Sequence, residues 1–259
     1  GDTLNFVRFA ALLRESGAQT TVYCQPQLLA LLQCSPQLGA VYPNSLACDR
    51  GFDWQCSLLD VADLLDLQAD RIPCTAPYLQ PAPQLCHYWQ QRLPRQPQRL
   101  RIGIAWQGNP EHQADAFRSL PLSCFECLSE VPGVELLSLQ SGWGSEQLDH
   151  WRGRQPIQRL ESGVDQSSGA FMDTAAIMQT LDLVITSDTA IAHLAGGMGL
   201  PTWIALGKVP DWRWLLDRDD SPWYPSVRLF RQPRLGDWSS VFARMREELQ
   251  RWPGAPREA

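Results

Sequence analysis

Three side chains in one short stretch have the types and spacing for anion chemistry. Asp188 and Thr189 close an apolar run, and His193 follows Thr189 by four positions. An apolar run that gives way to a helical pattern reads as a strand entering a helix. The first turn of a helix leaves N–H groups unpaired and carries partial positive charge, so it attracts an anion, a phosphate above all. Residues four apart share one side of a helix. His193 is thus placed to donate a hydrogen bond to a phosphate or a sugar hydroxyl. A plainer reading stands beside it, with Asp188 as a helix cap, His193 as a core residue and Gly196, Gly197 and Gly199 allowing close packing. Spacing leaves both open. Lys208 follows the next strand, where it either reaches the same anion or is simply solvated.

These residues need elements to hold them. Short apolar runs alternate with helical patterns along the chain, which is the signature of an α/β fold with parallel strands. In the first half, helices are expected over 3–16, 26–33, 60–67 and 84–93, with strands over 20–24, 40–42 and 52–56. Six prolines between 73 and 97 mark connectors, and the boundary between halves is placed at 94–99. The resulting domains are 1–96 and 97–259. In the second half, strands are expected over 100–106, 134–140, 181–186 and 202–206. Helices are expected over 121–130, 173–178 (capped by Asp173), 189–198 and 237–252. Asn109 lies in the loop after the first of these strands, and Gln140 ends the second.

Composition excludes several functions. Of 259 residues, 22 are Lys or Arg and 28 are Asp or Glu, a formal charge of −6. Nucleic-acid binding needs the opposite balance. The 44% apolar content suits a packed core. No run is long enough for a membrane span and no signal segment is present, which points to a cytoplasmic protein. The eight cysteines fall mostly in apolar stretches. Cys124-x-x-Cys127 reads as a buried helical pair, since no second pair completes a zinc site. Asp217-x-Asp219 reads as a charged turn. Trp212, Trp214 and Trp223 either stack on a ligand or fill the seam between halves.

The stretch Asp188-Thr189-Ala190-Ile191-Ala192-His193-Leu194-Ala195-Gly196 resembles the donor-site motif of heptosyltransferase-like glycosyltransferases of family 9. The likeness extends to Ile102–Pro110, to Arg118-Ser119-Leu120-Pro121, to Asp173-Thr174-Ala175-Ala176, and to the blocks around Trp212 and Trp223. The later blocks look most like the glycosyltransferase region that follows tetratricopeptide repeats in bacterial proteins. That group is similar, more distantly, to O-linked N-acetylglucosaminyltransferases.

The resemblance implies a GT-B architecture, two Rossmann-like domains facing across a cleft, the first lacking its first strand. It implies transfer of a sugar from a nucleotide-diphosphate donor to a glycan or protein acceptor, with inversion, without metal or other cofactor, and an N-terminal repeat domain in the parent chain. Gly1-Asp2 matches a Gly-Asp pair whose aspartate is the catalytic base in that family. Asp188, Thr189, His193, Arg118, Asn109, Gln140 and Lys208 are the expected donor-binding residues. Ala190 stands where those enzymes usually carry glycine, and Arg118 stands in for a lysine, so ADP-heptose is a poor candidate donor. A degenerate, non-catalytic binding module is the alternative. A dinucleotide oxidoreductase ranks last, because Gly196-Gly197-x-Gly199 lies at the wrong end of its helix.

Overall fold

Strands and helices alternate along the chain and organise two parallel sheets. The computed structural model describes residues 1–46, 51–73 and 77–252. Cys48 and Cys74 lie outside the described residues. The first half contains α1 (Asp2–Phe6), α2 (Arg8–Glu15), β1 (Thr21–Cys24), α3 (Leu29–Gln33), β2 (Ala40–Pro43), α4 (Val61–Leu64) and α5 (Pro83–Arg92). Strands β1 and β2 pair in parallel. The second half contains β3 (Leu100–Ala105), α6 (Asp115–Arg118), β4 (Val134–Ser138), β5 (Ile157–Gln158), α7 (Met172–Met178) and β6 (Leu183–Ser187). It continues with α8 (Ala190–Gly197), β7 (Thr202–Leu206), β8 (Val227–Arg231) and α9 (Trp238–Gln250). The expected boundary at 94–99 falls in the connector between α5 and β3.

Among the described residues, the second sheet has the order β5-β4-β3-β6-β7-β8, all parallel. Renumbered from β3, that is 3-2-1-4-5-6, the order of doubly wound nucleotide-binding sheets. Order reverses between β3 and β6, so the loops after these two strands diverge and open a crevice. Side chains alternate between the two faces of the sheet. Ile102, Ile104, Ile185, Trp203 and Phe230 enter one apolar cluster, with Phe125 and with Phe242 and Met245 of α9. Val184, Ile204, Leu206 and Leu229 enter the other, with Ile177 of α7 and Leu194 of α8. This second cluster runs on through Phe6, Phe9, Val22, Leu31 and Tyr78, so one core joins the two halves.

Glycines make that junction close. A Cβ on Gly196 would stand 2.6 Å from the Tyr224 ring, and one on Gly197 would stand 2.7 Å from Leu79. Gly197 O accepts from the N–H groups of Tyr78 and Leu79 at 2.9 and 3.1 Å. Gly197 thus lets the two halves approach, whereas Gly196 makes room for Tyr224 within the second half.

Several expectations are corrected. Residues 52–56 are exposed and form no strand; Phe52 instead packs edge-on against Tyr23, ring centroids 6.5 Å apart. The helix expected over 3–16 divides at Val7, which keeps helical angles (φ −59, ψ −19). Residues 122–128 form a 3₁₀ helix with Pro121 as its cap residue, not an α-helix with proline inside the first turn. Asp173 does not cap α7. It lies in the first turn, and its carboxylate accepts from Trp89 Nε1 at 2.8 Å, from Asp165 N at 3.0 Å and from Ser168 Oγ. Cys124 and Cys127 pack against the α9 cluster, and burial raises both thiols, Cys124 to about 11. Such thiols are poor nucleophiles and poor metal ligands. Among the described residues, no three of His, Cys, Asp and Glu gather as metal ligands. No described helix is long and apolar enough to cross a membrane.

Candidate functional site

The crevice between the β3 and β6 loops opens into a cavity of about 810 Å³. Its walls come from both halves: Gly1 and Asp2 at the start of α1, the 107–109 loop after β3, Arg118, and residues 188–191 with His193 at the start of α8. In open α/β sheets, ligands bind here, outside the carboxyl ends of the strands at the switch point. Thr189 occupies the cap position of α8 in extended conformation and makes no side-chain cap bond. No side chain caps the first turn of α8, and Ala190 and Ile191 line the cavity.

Two guanidiniums, each ion-paired with carboxylates, stand around this helix end. Arg118 is held over the 107–109 loop by Asp115 (Nε to Oδ1 3.2 Å). Arg213 is buried and ion-paired on two sides, Nη2 donating to Asp2 Oδ1 at 2.7 Å and Nη1 to Asp211 Oδ1 at 2.9 Å. Its guanidinium lies 4.9 Å from the ring centres of Phe6 and Trp212. Burial raises the half-buried carboxyl of Asp188 to about 6. The Trp214 indole N–H opposes that shift, although it closes no hydrogen bond of regular geometry. Asp211 raises it further, and Arg118 and Arg213 lower it.

His193 is buried in the wall. Its ring stacks on Trp214, with centroids 5.5 Å apart and planes at 11°, and its Nδ1 lies 2.9 Å from Tyr224 Oη. Burial, then the surrounding positive charges of Arg213, Arg8 and Arg118 among others, hold it well below the usual imidazole range. The ring is therefore neutral at pH 7.

Of the residues expected from sequence, Asp2, Asn109, Arg118, Gln140, Asp188, Thr189 and His193 all line this cavity. Lys208 is exposed and outside the lining. Gln140 lines the cavity, but its amide is occupied by backbone. Oε1 accepts from Trp106 N and Gln107 N, both at 3.0 Å, and Nε2 donates to Gln107 O and Trp143 O at 2.9 and 2.7 Å. It shapes the loop instead of presenting itself to a ligand. Of the tryptophans, buried Trp223 and half-exposed Trp212 pack on Phe6 in the seam, whereas Trp214 is buried against His193 and Tyr224 within the second half. Asp217 and Asp219 line a separate surface hollow with Arg218 and Arg231.

Sequence reading did not single out Arg213, Tyr224 or Asn5. Arg213 carried one usable signal, a cation among tryptophans with Asp211 two positions before it. Tyr224 stood in the block around Trp223 that carries the family resemblance, with no role assigned to it, and Asn5 carried no signal, because its contact with Tyr224 joins opposite ends of the chain.

A switch-point cavity closed by a second α/β half defines the fold as GT-B, the two-lobed architecture of many glycosyltransferases. Solved structures of glycosyltransferases share it. The ADP-heptose LPS heptosyltransferase II of E. coli superposes with a TM-score of 0.60 at 14% identity, covering 96% of this chain and 93% of that one. The glycosyl transferase family 9 protein of Veillonella parvula gives 0.62 at 9% identity, covering 94% and 87%. Protein FlbA of Caulobacter vibrioides is 27% identical over 200 residues, 77% of this chain. The chain spans about a third of FlbA's length, 33%. No family model matches the chain.

Proposed function

We propose that this protein is a GT-B glycosyltransferase. It moves a sugar from a nucleotide-diphosphate donor to a glycan or protein hydroxyl, with inversion at the anomeric carbon. One observation carries the reading: Asp2 of the first half faces the same cavity as Arg118, His193 and the unplugged helix end of the second. Transfer needs a base for the acceptor hydroxyl and stabilisation of the departing diphosphate. Asp2 is the carboxylate for the first task. For the second, the α8 amides, Arg118 and His193 meet the developing charge without a metal. Asp188 and Thr189 contribute mainly through backbone at the helix start, and Asn109 through the loop that rims the cavity. Lys208, outside the lining, has no part in this scheme.

Titration calorimetry with UDP, ADP and GDP sugars tests the reading, and failure of all three to bind would refute it. His193→Ala is expected to weaken the donor that binds by about 1–3 kcal/mol, the cost of an unmade hydrogen bond to a charged group. Unchanged affinity with an intact fold would remove His193 from the site.

Asp188 adds a pH dependence. Neutral Asp188 does not repel a diphosphate, whereas ionised Asp188 does. A bound anion raises the carboxyl further, so binding takes up protons and affinity falls as pH rises through about 6. A nucleotide-diphosphate sugar is the suitable probe, because its own phosphates do not titrate there. Asp188→Asn should flatten the profile; a variant that keeps the slope assigns it to another group.

One observation favours a binding module without turnover: Asp2 Oδ1 is already engaged by Arg213. Donor binding with no release of nucleoside diphosphate, unaltered by Asp2→Asn, would establish that second reading.

A further inference from the structure

We propose that Tyr224 and Asn5, from opposite halves of the chain, hold His193 as the Nε2–H tautomer and so aim a hydrogen-bond donor into the cavity. The inference rests on the reading of that cavity as a diphosphate site, and deepens it by specifying the form of the histidine.

Asn5 is fully buried, and its Nδ2 donates to Tyr224 Oη at 2.7 Å. That phenol oxygen has one proton of its own, and His193 Nδ1 stands 2.9 Å away. The adjacent phenol, Tyr78, is also within reach of Tyr224, but Arg8 already supplies it with a proton. It accepts from Arg8 Nη2 at 2.9 Å and donates to Leu4 O at 2.8 Å. With Asn5 supplying an N–H to Tyr224, the Tyr224 proton goes to His193 Nδ1, because an imidazole nitrogen is a stronger acceptor than the Tyr78 phenol oxygen. A ring nitrogen that accepts carries no proton, so in the neutral imidazole the proton sits on Nε2. Stacking on Trp214, with the planes 11° apart, opposes rotation of the ring out of this plane. The Nε2–Cδ2 edge faces Gly1, which lines the cavity with it: a methyl group on Gly1 would stand 3.9 Å from Nε2 and 3.4 Å from Cδ2. Asp2 follows directly. Tyr224 is thus a positioning residue, acting through His193.

Charge supports the geometry. Arg8, Arg213 and Arg118 surround the ring and disfavour imidazolium, in which Nδ1 would be a donor and the Tyr224 proton would have to turn away.

The tautomer is read directly from long-range ¹H–¹⁵N correlation spectra of protein labelled at its four histidines, with His193→Gln identifying the His193 signals. A pyridine-type Nδ1 and a pyrrole-type Nε2 are expected at pH 7. In Tyr224→Phe, which keeps the packed ring and removes only the hydroxyl, the two tautomers are expected to mix or exchange. A pyrrole-type Nδ1 in the unaltered protein overturns the proposal, and so does a folded Tyr224→Phe with an unchanged His193 pattern. Should that variant not fold, the spectrum of the unaltered protein still decides. The measurement is made on the free protein, so its outcome is independent of whether any nucleotide sugar binds.

Discussion

Asp2→Asn is expected to lower sugar transfer by roughly 10²–10⁴-fold, the usual contribution of a positioned general base. Donor affinity should change by less than about twofold. The asymmetry follows from where Asp2 stands. It belongs to the first half, whereas the amides, Arg118 and His193 that meet the diphosphate belong to the second. Its side chain is 72% exposed, so the substitution removes little packing. Asparagine keeps an oxygen for Arg213 Nη2 but cannot take a proton from a hydroxyl. Nucleoside diphosphate release, followed with donor and acceptor at saturation, measures the rate. A variant that retains full activity would remove Asp2 as the base and move the search to Asp211, on the other side of Arg213.

Arg8→Ala is expected to destabilise the fold by about 3–5 kcal/mol, at the upper end for a single substitution. Arg8 is only 2% exposed and lies where the halves meet. Its Nε donates to Asn5 O and its Nη2 to Tyr78 Oη, both at 2.9 Å, and its Nη1 donates to Trp223 O. The guanidinium lies 4.4 Å from the Tyr224 ring centre, 4.8 Å from Tyr78 and 5.3 Å from Trp223. Alanine strips Trp223 O and Tyr78 Oη of this donor in a dry setting, at about 1–3 kcal/mol for each group stranded, while Asn5 O keeps Tyr78 Oη at 3.3 Å; it also opens a cavity beneath three rings. Lysine restores charge but not the planar fork, so Arg8→Lys should recover only part of the loss. Urea unfolding with an unchanged m-value gives the number. A loss under about 1 kcal/mol would show that the seam is held by its apolar core alone.

The second half was largely legible before the structure. Strands buried on both faces are continuous apolar runs, so β3, β4, β6 and β7 stand out, and Gly199, at φ +72, marks the end of α8 as expected. Residues 52–56 misled because Phe52 and Trp54 alternate as a strand would. A strand needs a neighbour to bond with, and here the Phe52 ring lies against Tyr23 instead. Asp173 misled for a related reason. Its type suits a cap, but Trp89, 84 positions away, offers an indole N–H that no local pattern announces.

The candidate site divides the same way. Asp188, Thr189, His193, Arg118 and Asn109 were legible because each sits at a strand end or helix start, and position along an element follows from local periodicity. What those side chains do was decided by the tertiary structure. Arg213 reaches Asp2 across 211 positions, Asn5 reaches Tyr224 across 219, and the Gln140 amide turns away from the cavity to bind the loop after β3. Local propensity and hydrophobic period act over a few residues, so they specify elements and their ends. Hydrogen bonds between distant segments leave no period in the chain, and they exist only once burial has brought the two halves together.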